Sequence, residues 1–175
     1  MPHIAYKPLD TQEPKELVAA IRTRRGGTLL NLDRMLLHSP PFARGWNAFL
    51  GEVRTGLALS PKLRELAICV VAILNKAEYE FHHHAPEFQK AGGTAAQVEA
   101  MRRLPGTVAD SFDAAERAVI QLTIEMTRNI QVTPATFAAI KAALPTDQHV
   151  VELVGAIATY NMVSRFLVAL DVTPE

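Results

Sequence analysis

Three features of the sequence predict an all-α protein. No segment sustains the two-residue alternation of a half-buried strand, and no Asn-Gly or Asp-Gly pair marks a hairpin turn. Helix start and stop residues recur six to eight times along the 175 residues. Two stretches, Leu66 to Leu74 and Val150 to Ala158, are apolar on nearly every face. Such helices must be surrounded, inside the subunit or by neighbouring subunits. In a chain of this length they favour antiparallel helix pairs in a homo-oligomer.

The elements follow in order. Residues 1–14 carry three of the eleven prolines and read as an extended arm. Glu16 to Thr23 forms a short helix that ends before Arg24-Arg25-Gly26-Gly27, read as a turn. Asn31 to His38 is a helix closed by Ser39-Pro40-Pro41. Phe42 to Val53 follows, with Phe42, Trp46, Phe49 and Leu50 at helical spacing. Ser60-Pro61 is a start signal, because serine can cap and proline suits the first helical position, and the helix runs from Lys62 to about Lys76. The next spans Glu78 to Ala91 and stops at Gly92-Gly93. Thr94 caps Ala95 to Arg102, and Asp110-Ser111 introduces a long helix from Phe112 to Asn129. Thr133-Pro134 starts another that ends near Leu144-Pro145, and the last runs from about Asp147 to Leu170. The expected organisation is an arm with a short helix over residues 1–30 and one helical domain over 31–175.

Composition narrows the function. Eighteen Lys+Arg balance eighteen Asp+Glu, so the chain offers no general attraction to phosphate backbones or anionic lipid. Nucleic-acid and membrane partners are not expected; a small-molecule substrate is. With 49% apolar residues the chain can bury a sizeable core. The single cysteine can form neither an internal disulfide nor a multi-cysteine zinc site. The start, MPHIAYKPLD, contains no signal-like apolar core, and Leu66 to Leu74 is shorter than the roughly 20 residues of a membrane span. The expected location is the cytoplasm.

Acidic residues and histidines concentrate in Glu78-Tyr79-Glu80-Phe81-His82-His83-His84-Ala85-Pro86-Glu87. Helix neighbours point about 100° apart, so three consecutive imidazoles cannot converge on one ion. Glu80, His83 or His84, and Glu87 share a face. This pattern suits a carboxylate that orients an imidazole for proton transfer, and equally a solvated polar face. Pro86 removes a backbone hydrogen bond at the carbonyl of His82 and marks either a kink or a helix start. Glu65 shares a face with Ile68, Cys69 and Ala72; burial there would raise its pKa, whereas a first-turn position would only engage the helix dipole. Tyr160, Asn161, Ser164 and Arg165 interrupt the apolar final helix. A buried Arg165 would hold Glu65, Glu80 or a substrate carboxylate; an exposed one would be a surface residue. Cys69, between Ile68 and Val70, reads as an inert core thiol. No Gly-rich dinucleotide fingerprint, nucleophile elbow or phosphate loop occurs.

Pro61-Lys62-Leu63-Arg64-Glu65-Leu66-Ala67, Ala77-Glu78-Tyr79-Glu80-Phe81-His82-His83-His84 and Lys90-Ala91-Gly92 resemble the carboxymuconolactone decarboxylase and alkylhydroperoxidase D-like family. Tyr160 to Phe166 resembles the last helix of its cysteine-free members, and the likeness spans roughly residues 40 to 170. The resemblance implies an all-α, alkylhydroperoxidase D-like bundle that forms trimers or hexamers. The peroxidase branch uses a glutamate, a C-x-x-C pair and a histidine. Here these positions are Glu65, Ala77 and Glu80, and His84, so both thiols are absent. The decarboxylase branch is closer, and Glu65, Glu80 and His84 match its spacing.

The favoured reading is a cofactor-free lyase acting on a small organic acid or lactone. His84 is the proton shuttle, Glu80 its orienting carboxylate and Glu65 a second acid or base. Arg165, His83 and Tyr79 are the candidate substrate-binding residues. No metal ligand is assigned. Three alternatives stand beside it: a thiol peroxidase of the wider family, a helix-borne metal site at Glu80-x-x-His83, and a non-catalytic oligomeric binder.

Overall fold

The computed structural model describes residues 1–104, 106 and 111–175, and among these it holds helices and no strand. The chain forms two compact units, one of Met1–Leu57 with Ala169–Glu175 and one of Ala58–Val168.

The first unit contains α1 (Lys15–Arg25), α2 (Asn31–Leu36) and α3 (Pro40–Thr55). α1 runs two residues past the predicted Thr23. Gly26 ends it in the left-handed conformation at φ 75°, and the three arginines of its last turn suit the negative end of the helix dipole. Arg24 and Arg25 are therefore helical, and both reach the buried Asp33, at 3.4 and 3.0 Å. α2 ends at Leu36, two residues short of the expected His38, and Pro40 and Pro41 open α3, where a missing N–H costs nothing.

The second unit carries the candidate residues. It contains α4 (Pro61–Asn75), α5 (Glu78–Lys90), α6 (Ala95–Met101), α7 (Ala114–Asn129), α8 (Pro134–Ala143) and nearly all of α9 (Asp147–Ala169). α4 is its central helix and packs against α5, α6 and α7. From Glu65 to Ala72 every residue of α4 is buried, so the prediction that this stretch is surrounded holds within one subunit. Pro61 occupies the first turn of α4, but Ser60 makes no side-chain cap bond. Lys76 ends α4 at φ 57°, with Lys76 N bonded to the Ile73 carbonyl and Ala77 N to that of Ala72. This paired closure satisfies the last carbonyls and reverses the chain within two residues. α5 therefore returns antiparallel along α4.

α5 continues through Pro86 to Lys90. Gly93 follows the stop because a Cβ there would lie 2.2 Å from the Phe88 ring. Thr94 and Gln97 cap α6 reciprocally, as predicted for Thr94. α7 is capped by Asp113 with Glu116, two residues into the predicted helix; the expected start at Asp110 lies outside the described residues. The buried Glu116 also takes Lys62 Nζ at 2.6 Å and Gln97 Nε2 at 2.9 Å, tying α4, α6 and α7 together. Glu125 of α7 receives Thr133 N at 2.7 Å and Thr136 Oγ1 at 2.5 Å, which fixes the turn into α8.

Within a single subunit α9 is not buried on all faces. Val151 is 69% exposed and Met162 40%, and with Ala158 they form one apolar stripe on the outside of a single subunit. α9 is long and apolar enough to cross a membrane by length and composition alone. Half of its most apolar window is buried inside the fold, and Glu152, Asn161 and Ser164 are bonded within the unit. It is built as a core helix.

Candidate functional site

The α4–α5 hairpin sets Glu65, near the start of one helix, beside His84, in the middle of the other. Glu65 Oε2 lies 2.6 Å from His84 Nδ1. The other oxygen, Oε1, receives Arg64 Nε and Arg64 Nη2, each at 3.2 Å. One carboxylate thus joins an imidazole to a guanidinium, and the Glu65 and His84 side chains are only 6% and 12% exposed. Burial pushes the Glu65 carboxyl up, but the hydrogen bond and charge of His84, with those of Arg64, outweigh it, and the net pKa lies below the ordinary value. This reverses the expectation that burial would raise it. Glu65 is held as the anion.

Glu80 was expected to orient His84 from four residues away. The carboxylate at Nδ1 comes instead from Glu65, across the hairpin. Glu80 is 1% exposed, and its Oε1 accepts a hydrogen bond of 3.0 Å from the equally buried Ser164 of α9. Four residues before Ser164, the fully buried Tyr160 sets its ring at 84° to that of His84, with centroids 4.9 Å apart. The i, i+4 face of α9 thus supplies both contacts to α5. Cys69, one turn beyond Glu65, is fully buried. Burial pushes its thiol well above its ordinary pKa, and the nearby charges of Glu65 and Glu80 push it further.

The three predicted substrate-binding residues make contacts of their own. Tyr79 is buried and packs its ring 4.4 Å from that of the half-buried His83. His82 is exposed and meets His83 edge-on. Arg165 is exposed, and its Nη1 donates to the Asn161 carbonyl and side chain, each at 2.8 Å. It therefore does not hold Glu65 or Glu80, as a buried position would have required; Arg64 takes that part on Glu65. Glu87 is exposed and pairs with Lys90. Among the described residues no three His, Cys, Asp or Glu side chains are grouped to hold a metal ion.

Sequence reasoning missed Arg64 because adjacent helix residues point in different directions, and only the length of an arginine lets it fold back onto Glu65. Ser164 was noted as a polar break in α9, but nothing in the sequence assigned Glu80 as its partner.

A helical hairpin thus holds a buried acid–histidine contact against a third helix. Residues 40–125 match the carboxymuconolactone decarboxylase family. No curated protein is similar to the chain at a significant level. Among solved structures, an uncharacterized peroxidase-related protein of Silicibacter sp. TM1040 is similar at 20% identity and TM-score 0.80, over 97% of this chain and 87% of that one. An uncharacterized peroxidase-related protein of Ralstonia eutropha JMP134, described as an alkylhydroperoxidase AhpD core, is similar at 15% identity and TM-score 0.82, over 99% and 92%. A variant of the debrominase Bmp8, in complex with 2,3,4-tribromopyrrole, is similar at 16% identity and TM-score 0.81, over 100% and 94%. These likenesses show the fold.

Proposed function

We propose that the protein is a cofactor-free acid–base enzyme that decarboxylates a small organic acid or lactone, with His84 as the proton shuttle. The observation that carries this reading is the 2.6 Å contact between Glu65 Oε2 and His84 Nδ1 in a nearly closed environment. An anionic carboxylate on Nδ1 fixes the imidazole tautomer and supports its protonated form, so Nε2 is the nitrogen that exchanges a proton with substrate. In the reaction the bond from the substrate's α-carbon to its carboxylate breaks and carbon dioxide leaves. The electron pair passes into an adjacent carbonyl or lactone as an enolate. Nε2–H protonates the carbon, and His84 recovers its proton from solvent. One positioned acid of this kind contributes roughly 10²–10⁴ in rate.

The family match over residues 40–125 supports the class of reaction, and the tribromopyrrole bound by the debrominase supports a small cyclic ligand. The peroxidase reading is weaker. The two positions where the resemblance expects thiols are Ala77 and Glu80, and Cys69 is a buried thiol pushed toward its protonated form. The protein acts in the cytoplasm as a homo-oligomer, a trimer or hexamer by family resemblance, and the exposed apolar stripe of α9 supports association.

The test is carbon dioxide release across a panel of lactone acids, β-keto acids and muconolactone-type acids, run beside peroxide consumption coupled to a dithiol. Turnover in the first panel is expected and none above background in the second. Robust Cys69-dependent peroxide turnover would overturn the assignment.

A further inference from the structure

A histidine–carboxylate contact as short and as buried as that of Glu65 and His84 poses a problem for a proton shuttle. If the carboxylate served His84 alone, the ion pair would hold the imidazole protonated, and Nε2 would release its proton poorly near neutral pH. The structure contains a counterweight. Both contacts of the Arg64 guanidinium fall on Oε1, at 3.2 Å each, while Oε2 faces His84. Arg64 stays charged at any working pH. It draws negative charge toward Oε1, and its own positive charge opposes a second cation at His84.

We propose that Arg64 is a positioning residue that shares the Glu65 carboxylate with His84 and so frees the imidazole to exchange its Nε2 proton near neutral pH. The inference rests on the reading of His84 as the proton shuttle. Other titratable groups face the pair from the neighbouring elements. On α4 the neighbour is Cys69, whose burial favours the neutral thiol. On α5 it is Glu80, bonded to Ser164, with His83 packed on Tyr79. On α9 it is the neutral Tyr160. Further off, Arg102 pairs with Glu99 and the Phe81 ring, Glu116 with Lys62 and Gln97, and Glu125 with Gln121 and Thr136.

The sign of one shift separates this role from a structural one. In an NMR pH titration of the full chain, Arg64→Gln is expected to raise the His84 midpoint by about half to one pH unit, because a neighbouring cation is lost. Glu65→Gln is expected to lower it, and Arg64→Lys, which keeps the charge, to move it less than half as far as Arg64→Gln. If Arg64→Gln does not fold, Arg64→Met keeps the aliphatic stem and is read the same way. An unchanged or lowered midpoint in the charge-removing variant overturns the proposal. This outcome is distinct from failure of the functional reading, which shows as turnover that survives His84→Ala.

Discussion

Replacing Glu65 by Gln keeps the shape of the side chain and removes its charge, so it isolates what the carboxylate does for the hairpin. The lost interaction is a 2.6 Å hydrogen bond to His84 and a two-donor contact from Arg64, on a side chain only 6% exposed. Hydrogen bonds to a charged partner contribute about 1.5–3 kcal/mol. Because Gln can still accept from either neighbour, we expect a loss of about 2 kcal/mol at neutral pH, or roughly a 1 M fall in the urea midpoint. The pH dependence carries the sharper information. The folded-state pKa of Glu65 is lowered, so its contribution is complete above the ordinary carboxylate range and is lost as pH falls through the lowered folded value. Urea unfolding of both proteins across a pH series should show the gap at pH 7 close in acid. A gap that is absent at pH 7, or that widens as pH falls, would refute the electrostatic account of the pair.

Three further outcomes follow from the second unit. Cys69 should resist a thiol-specific maleimide in the folded protein and react after denaturation, since it is fully buried and its thiol is pushed toward the protonated form; fast labelling of the native state contradicts this. Ser164→Ala removes a donor from the buried Glu80 and should cost about 1–3 kcal/mol in denaturant unfolding, more than a surface substitution does. Glu125, held at about 2 chiefly by the Thr136 and Gln121 hydrogen bonds, supports the α7–α8 turn above the ordinary carboxylate range and loses that support as pH falls toward 2. Glu125→Gln should therefore lower the thermal midpoint at pH 7 and leave it unchanged near pH 2.

The helices were legible because their punctuation is local. Ser-Pro, Thr-Pro and Gly-Gly act through backbone geometry within a few residues, and α4, α5, α6, α8 and α9 lie within two residues of their expected limits. α7 starts later because the Asp113–Glu116 pair satisfies its first N–H groups. The site was only half legible. Glu65, Glu80 and His84 stand out by type and spacing, but their partners are set by tertiary packing. A rule of same-face spacing pairs Glu80 with His84, while the hairpin brings Glu65 to Nδ1 and α9 brings Ser164 to Glu80. The sequence left Arg165 open between a buried clamp and a surface residue, and its position on the exposed side bonds it to Asn161. The outward position of Val151 and Ala158 was not legible, because sequence alone does not separate a face buried within a subunit from an apolar face left outside it.

The account turns on His84 moving a proton. The most direct measurement is turnover of the best substrate in the carbon dioxide panel by the unmodified protein and by His84→Ala, with folding of both checked by circular dichroism. The account predicts a fall of roughly 10²–10⁴ in kcat with the helical signal intact. Turnover within twofold of the unmodified protein would contradict it.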